Sequence, residues 1–127
     1  MTDEMKALIG FQQGELDAVA LYTAMAKVTK DEEMKQTLTK MAADEGKHAR
    51  ILKEYTGTVL KPKSTMKNFV VPLYRMFGKK PLFKLMAKFE YDSTDKYQPY
   101  IDKYPNIAEI AADETRHGNL LIDMMCK

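Results

Sequence analysis

The segment Ala42-Ala43-Asp44-Glu45-Gly46-Lys47-His48-Ala49-Arg50-Ile51-Leu52 returns near the C-terminus as Ala111-Ala112-Asp113-Glu114-Thr115-Arg116-His117-Gly118-Asn119-Leu120-Leu121. Both copies carry Glu-x-x-His. Positions three apart on a helix share a face, so each copy sets a carboxylate beside an imidazole. A chain that builds this unit twice is constrained to a fold that accommodates both. Two such pairs supply the protein half of a two-metal site.

Four segments have helical periodicity, each an amphipathic stripe that calls for a common core. The first runs from Thr2 or Asp3 to Val28, with Leu8, Phe11, Glu15, Ala18, Tyr22 and Met25 at spacings of three and four. After Thr29-Lys30-Asp31 the second carries Met34, Leu38, Met41, Glu45, His48, Leu52 and Tyr55. The third starts near Pro81, a residue suited to a first helical turn, and aligns Phe83, Met86, Glu90 and Tyr97. The fourth opens at Tyr104-Pro105 and aligns Ile107, Ile110, Glu114, His117, Leu121 and Met124. Glu15, Glu45, His48, Glu90, Glu114 and His117 therefore fall on apolar stripes. An ionised carboxylate in a protein interior costs several kcal/mol even after relaxation, so four of them facing a core require positive charge. Two divalent cations balance four carboxylates.

The numbering supports paired hairpins. Residues level with each other in an antiparallel hairpin are equidistant from its turn. The midpoint of Glu15 and Glu45 is residue 30, inside Thr29-Lys30-Asp31, and that of Glu90 and Glu114 is residue 102, beside Asp102-Lys103-Tyr104-Pro105. Tyr22 follows Glu15, and Tyr97 follows Glu90, by two helical turns, which sets each Tyr on the face of its Glu. The expected architecture is all-α: two repeated antiparallel helix hairpins, residues 1–56 and 79–127, joined by a long, partly helical crossover at 57–78, in a single domain spanning 1–127. In the crossover, Ser64-Thr65 suits the start of a short helix over Met66 to Met76, with Pro72 expected to kink or break it.

With the ligands so placed, the chain resembles the ferritin-like superfamily and, within it, the rubrerythrin-like di-iron proteins. Their pattern is a four-helix bundle with one Glu from each of two helices and Glu-x-x-His from each of the other two. The resemblance implies Glu15 and Glu90 as single-Glu metal ligands, and Glu45/His48 and Glu114/His117 as paired ones. It implies that Asp44 and Asp113 orient the ligand His of the other repeat through its free ring N–H, and that Tyr22 and Tyr97 hydrogen-bond ligand carboxylates. Two departures stand out. Rubrerythrins proper have a further Glu three residues from the third helix's ligand, where this chain has Ala87 and Ser93. They also have a four-cysteine rubredoxin module, whereas this chain has the lone Cys126, so electrons are expected from an external donor.

Four Glu and two His, without thiolates, favour iron, then Mn, over a closed structural zinc site; Zn is expected only as a substitute. Open positions on two ions suit O2 or H2O2. The leading expectation is a non-haem di-iron oxidoreductase or ferroxidase. The alternatives are an iron-binding protein for storage, sensing or delivery without turnover, and a hydroxylase of a lipophilic substrate such as a quinone. The opening Met1-Thr2-Asp3-Glu4-Met5-Lys6 is not a signal peptide and no apolar run is long enough to span a bilayer, so a soluble cytoplasmic protein is the expectation.

Charge is segregated along the chain. Tyr55 to Phe89 contains eight basic residues and no acidic one, while the remainder holds twelve basic and eighteen acidic. No nucleic-acid motif accompanies these lysines. The first reading of the basic stretch is a solvated strap whose Phe69, Val70, Leu73 and Phe77 pack on the bundle. Attraction of an acidic redox partner comes second and docking on an anionic membrane surface third. A homodimer is compatible with so small a domain, but no patch for one is singled out.

Overall fold

The computed structural model describes residues 1–127 and contains helices without strands. In chain order they are α1 (Asp3–Val28), α2 (Glu32–Thr56), α3 (Thr65–Phe77), α4 (Lys79–Tyr97) and α5 (Ile107–Cys126), with a 3-10 turn at Gln98–Tyr100 after α4. The chain divides into two compact units, Met1–Pro72 and Leu73–Lys127. In the first, α1 packs on α2; in the second, α4 packs on α5. Each unit thus contains one helical hairpin.

Local chemistry sets the ends of the first hairpin. Thr2 Oγ1 accepts the Met5 N–H at 3.1 Å and Asp31 Oδ1 accepts the Met34 N–H at 2.9 Å, each satisfying an otherwise orphaned amide of a first turn. Gly57 stops α2 in the left-handed region, φ 63°, where it donates to the Lys53 carbonyl at 2.7 Å. The core of this unit includes Leu8, Leu21, Met25, Leu38, Met41 and Leu52. In the second unit Leu82, Phe83, Met86, Ile107, Ile110 and Leu121 have the same role. Pro81 lies at the third position of α4, still within the turn whose amides have no intrahelical acceptor.

The crossover is tied to α1 by polar contacts. Gln12, buried on the inner face of α1, donates to the Thr58 carbonyl at 2.8 Å and accepts the Thr56 hydroxyl at 2.6 Å. Gln13 donates to the Lys61 carbonyl, and Asp17 accepts the Lys63 N–H at 2.7 Å. Pro72 does not break α3, which continues from Thr65 to Phe77. The carbonyl deprived of its donor belongs to Asn68, which is exposed, so water can satisfy it. The expected packing of the strap is corrected in part. Val70 is buried and Leu73 half-buried, but Phe69 and Phe77 are 64% and 61% exposed. Successive helical residues diverge by about 100°, so a helix that turns Val70 and Tyr74 inward carries Phe69 outward. Tyr74 stacks on Phe83 with ring centroids 5.5 Å apart.

The two hairpins differ in how their helices meet. In the second, Thr94 and Thr115 place their hydroxyls 3.0 Å apart; the equivalent residues of the first are Val19 and Gly46. Gly118 lies under the Tyr91 ring, and a Cβ there would come within 2.4 Å of Tyr91 Cε1. Gly118→Ala is therefore expected to lose stability by about 1–3 kcal/mol through overpacking, less the helix-propensity gain of up to ~1 kcal/mol. Gly10→Ala and Gly14→Ala, at exposed helical positions with nothing near the added methyl, are expected to gain roughly 0.5–1 kcal/mol. Urea unfolding of the three variants checks the opposite signs.

Candidate metal centre

Helical spacing and hairpin register together assemble the polar residues of each unit. In the first unit, Glu15 comes from the middle of α1, and Glu45 and His48 from successive turns of α2. The antiparallel return through Thr29-Lys30-Asp31 brings α2 back level with Glu15, as the midpoint of the numbering requires. His48 Nδ1 lies 3.3 Å from Glu15 Oε2 and 3.2 Å from Glu45 Oε1. One ring nitrogen of a single imidazole thus meets a carboxylate from each helix. The ligand atoms of these three residues lie within 4.8 Å of one another.

The second unit repeats the arrangement more openly. Glu90 comes from α4, Glu114 and His117 from α5, and His117 Nδ1 is 3.7 Å from Glu90 Oε2. Their ligand atoms also lie within 4.8 Å of one another. All six predicted ligand residues are buried; Glu45 and Glu114 are only 1% and 2% exposed, and both histidines are fully enclosed. Each trio has two carboxylates and one imidazole, a formal charge that one divalent cation neutralises.

The donor set fits such a cation. Hard carboxylate oxygens and a borderline imidazole nitrogen suit Fe or Mn, and the one cysteine, Cys126, is exposed in the last turn of α5 and belongs to neither trio. Glu45 Oε1, Glu90 Oε2, Glu114 Oε1 and His117 Nδ1 are buried atoms that make no hydrogen bond, while the residues that bear them are held by other contacts. Desolvated lone pairs are what a metal ligand needs, and what a core would otherwise exclude.

The residues expected around the ligands fall in two environments. Tyr22 and Tyr97 are buried on the same helices as Glu15 and Glu90. Asp44 and Asp113 are half-buried, and Asp113 Oδ1 lies 3.4 Å from Arg116 Nη2 on its own helix. Gln12 was missed from the sequence. It is a buried polar residue one turn before Glu15, which would qualify it as a ligand candidate, yet its amide is used by the crossover. Its only sequence signal is a polar side chain on an apolar stripe, and that signal cannot tell a ligand from a strap anchor.

Comparison with known proteins gives the family of the chain. The family model described as Rubrerythrin matches residues 12–125. No curated protein and no solved structure matches the chain.

Glu45→Gln separates charge burial from metal binding. Without metal, the variant removes a desolvated charge, so its stability is expected to equal or exceed that of the native protein. Adding Fe(II) anaerobically, or Mn(II), at about 100 times its Kd is expected to stabilise the native protein by about 2.7 kcal/mol, with most of that gain lost in Glu45→Gln. Thermal unfolding with and without metal measures both effects; a full metal-induced rise in the variant would remove Glu45 from the ligand set.

Proposed function

The chain belongs to the rubrerythrin family of ferritin-like domains, and from that premise we propose a non-haem di-iron oxidoreductase or ferroxidase that consumes O2 or H2O2. The observation that carries this reading is the buried donor set: four Glu and two His, divided equally between two repeated hairpins. In this proposal the two trios act together. Glu15, Glu45 and His48 provide half of the ligands for a pair of iron ions, and Glu90, Glu114 and His117 provide the other half. When bound, the ferrous pair supplies two electrons to the oxidant.

The protein's own contribution is charge, orientation and exclusion of water. Glu15, Glu45, Glu90 and Glu114 would hold the ions, and their four negative charges would balance the four positive charges of a ferrous pair. His48 presents Nδ1 to the carboxylates, which makes it the ring nitrogen that would face a bound ion. Asp44 and Asp113 are proposed to fix the histidine rings, and Tyr22 and Tyr97 to hold the carboxylates by hydrogen bonds. In this reading re-reduction draws on an electron donor outside these residues. Action in the cytoplasm is part of the same reading; no helix is long and apolar enough to cross a membrane.

Anaerobic loading with Fe(II) is expected to saturate at about two irons per chain. Addition of O2 or H2O2 should then oxidise that iron stoichiometrically, read by absorption and by loss of Fe(II)-chelator colour. Glu45→Ala and Glu114→Ala should each abolish dinuclear loading. Reversible binding of both ions with no oxidation would reject the oxidoreductase and favour storage, sensing or delivery.

A further inference from the structure

The helix α3 presents to solvent what a surface helix ordinarily hides. Phe69 and Met76 lie two turns apart on one face, 64% and 72% exposed, with Met66 one turn before Phe69 and also exposed. Phe77, at the end of the helix, is 61% exposed. An adjoining side of the same helix, about 100° from Phe69, is already used, since Val70 and Tyr74 are buried, and Leu73, between Phe69 and Met76, is half-buried. The outward apolar strip is therefore a second face, in excess of what the fold requires. Exposed apolar side chains of this size on one short helix mark an interaction surface.

Charge identifies the occupant. Lys61 and Lys63 precede α3, Arg75 lies within it, and Lys80, Lys84 and Lys88 follow at spacings of four along one exposed row of α4. Of that row, Lys88 pairs with Asp92 at 2.8 Å. Across the whole stretch from Tyr55 to Phe89 there is no carboxylate. A second copy of the chain is a poor occupant, because symmetric pairing would set one cationic collar against another. A helix with large apolar side chains outward and basic residues at both ends instead matches the boundary between lipid headgroups and acyl chains. There the apolar groups enter the hydrocarbon edge while long Lys stems keep their ammonium groups among anionic headgroups.

We propose that α3 docks this protein on anionic phospholipid membranes, with Phe69 and Met76 inserted at the interface and the flanking lysines paired with lipid headgroups. The helix lies on the surface and does not span it. This reading is independent of the metal centre, because none of these side chains belongs to either trio.

The test is co-sedimentation of the full chain with vesicles of phosphatidylcholine alone and of phosphatidylcholine mixed with phosphatidylglycerol. Binding to the mixed vesicles only, weakened by added salt, is expected. Phe69→Ser/Met76→Ser should reduce partitioning by at least roughly tenfold, as the loss of two buried apolar side chains implies. Lys80→Glu/Lys84→Glu should do the same through lost headgroup attraction. Because these side chains are exposed, helical circular dichroism and metal stoichiometry should be unchanged in both variants. Absence of binding to mixed vesicles would overturn the proposal. So would binding insensitive to Phe69→Ser/Met76→Ser, which would indicate charge attraction alone. Concentration-dependent dimerisation abolished by Phe69→Ser/Met76→Ser, without vesicle binding, would assign the face to a second copy and equally overturn it.

Discussion

Carboxylates held away from water are the constraint around which each hairpin is built. Glu15 and Glu45 in one, Glu90 and Glu114 in the other, are all buried on helix faces that otherwise carry Leu, Met and Ile. Burying an ionised carboxylate is costly unless a neighbour supplies positive charge or a proton, and helix propensity is too small to offset it. The energy to hold them there comes from the surrounding apolar packing, and a bound cation would offset it. The same burden keeps the ligand atoms poised, since relaxing them toward water would unpack the helices that carry them.

The two hairpins solve this shared problem with different interhelical contacts. Where the first sets Val19 near Gly46, the second sets Thr94 against Thr115, hydroxyl to hydroxyl at 3.0 Å. Where the first has Leu16 and Ala49, the second has Tyr91 over Gly118. In the second exchange a larger side chain on one helix is matched by a smaller one on its neighbour. Gln12 anchors the crossover in the first hairpin, and Ala87 occupies the corresponding place in the second. Packing partners have diverged between the repeats while Glu-x-x-His has not, as expected if packing volume can be redistributed but a metal's donor set cannot.

The charge distribution separates two tasks along the chain. The hairpin segments carry the acidic residues, whose buried members form the trios. The intervening stretch carries lysines, an arginine and outward-facing Phe and Met side chains. Interfacial docking would bring small lipophilic or membrane-derived oxidants and reductants near the protein without any contact to the ligands themselves. Redox chemistry and location would then depend on different residues and could vary independently.

Much of this protein was determined by local sequence alone. Helical spacing puts Glu45 beside His48 and Glu114 beside His117 whatever the tertiary context, and turn position brings Glu15 and Glu90 level with them. Helix ends followed the same logic at Thr2, Asp31 and Gly57, where one side chain or one permissive backbone angle decides. The tertiary structure decided which polar residue serves which partner. Gln12 has the same pattern as a ligand, and only contacts with Thr56 and Thr58, more than forty positions away, assign it to the crossover. It also decided that α3 runs through Pro72 and turns Val70 inward and Phe69 outward, because a run of apolar residues does not say which side of a helix will find a neighbour. Periodicity is a property of the backbone and can be read along the chain; the choice among equivalent faces depends on what packs against them.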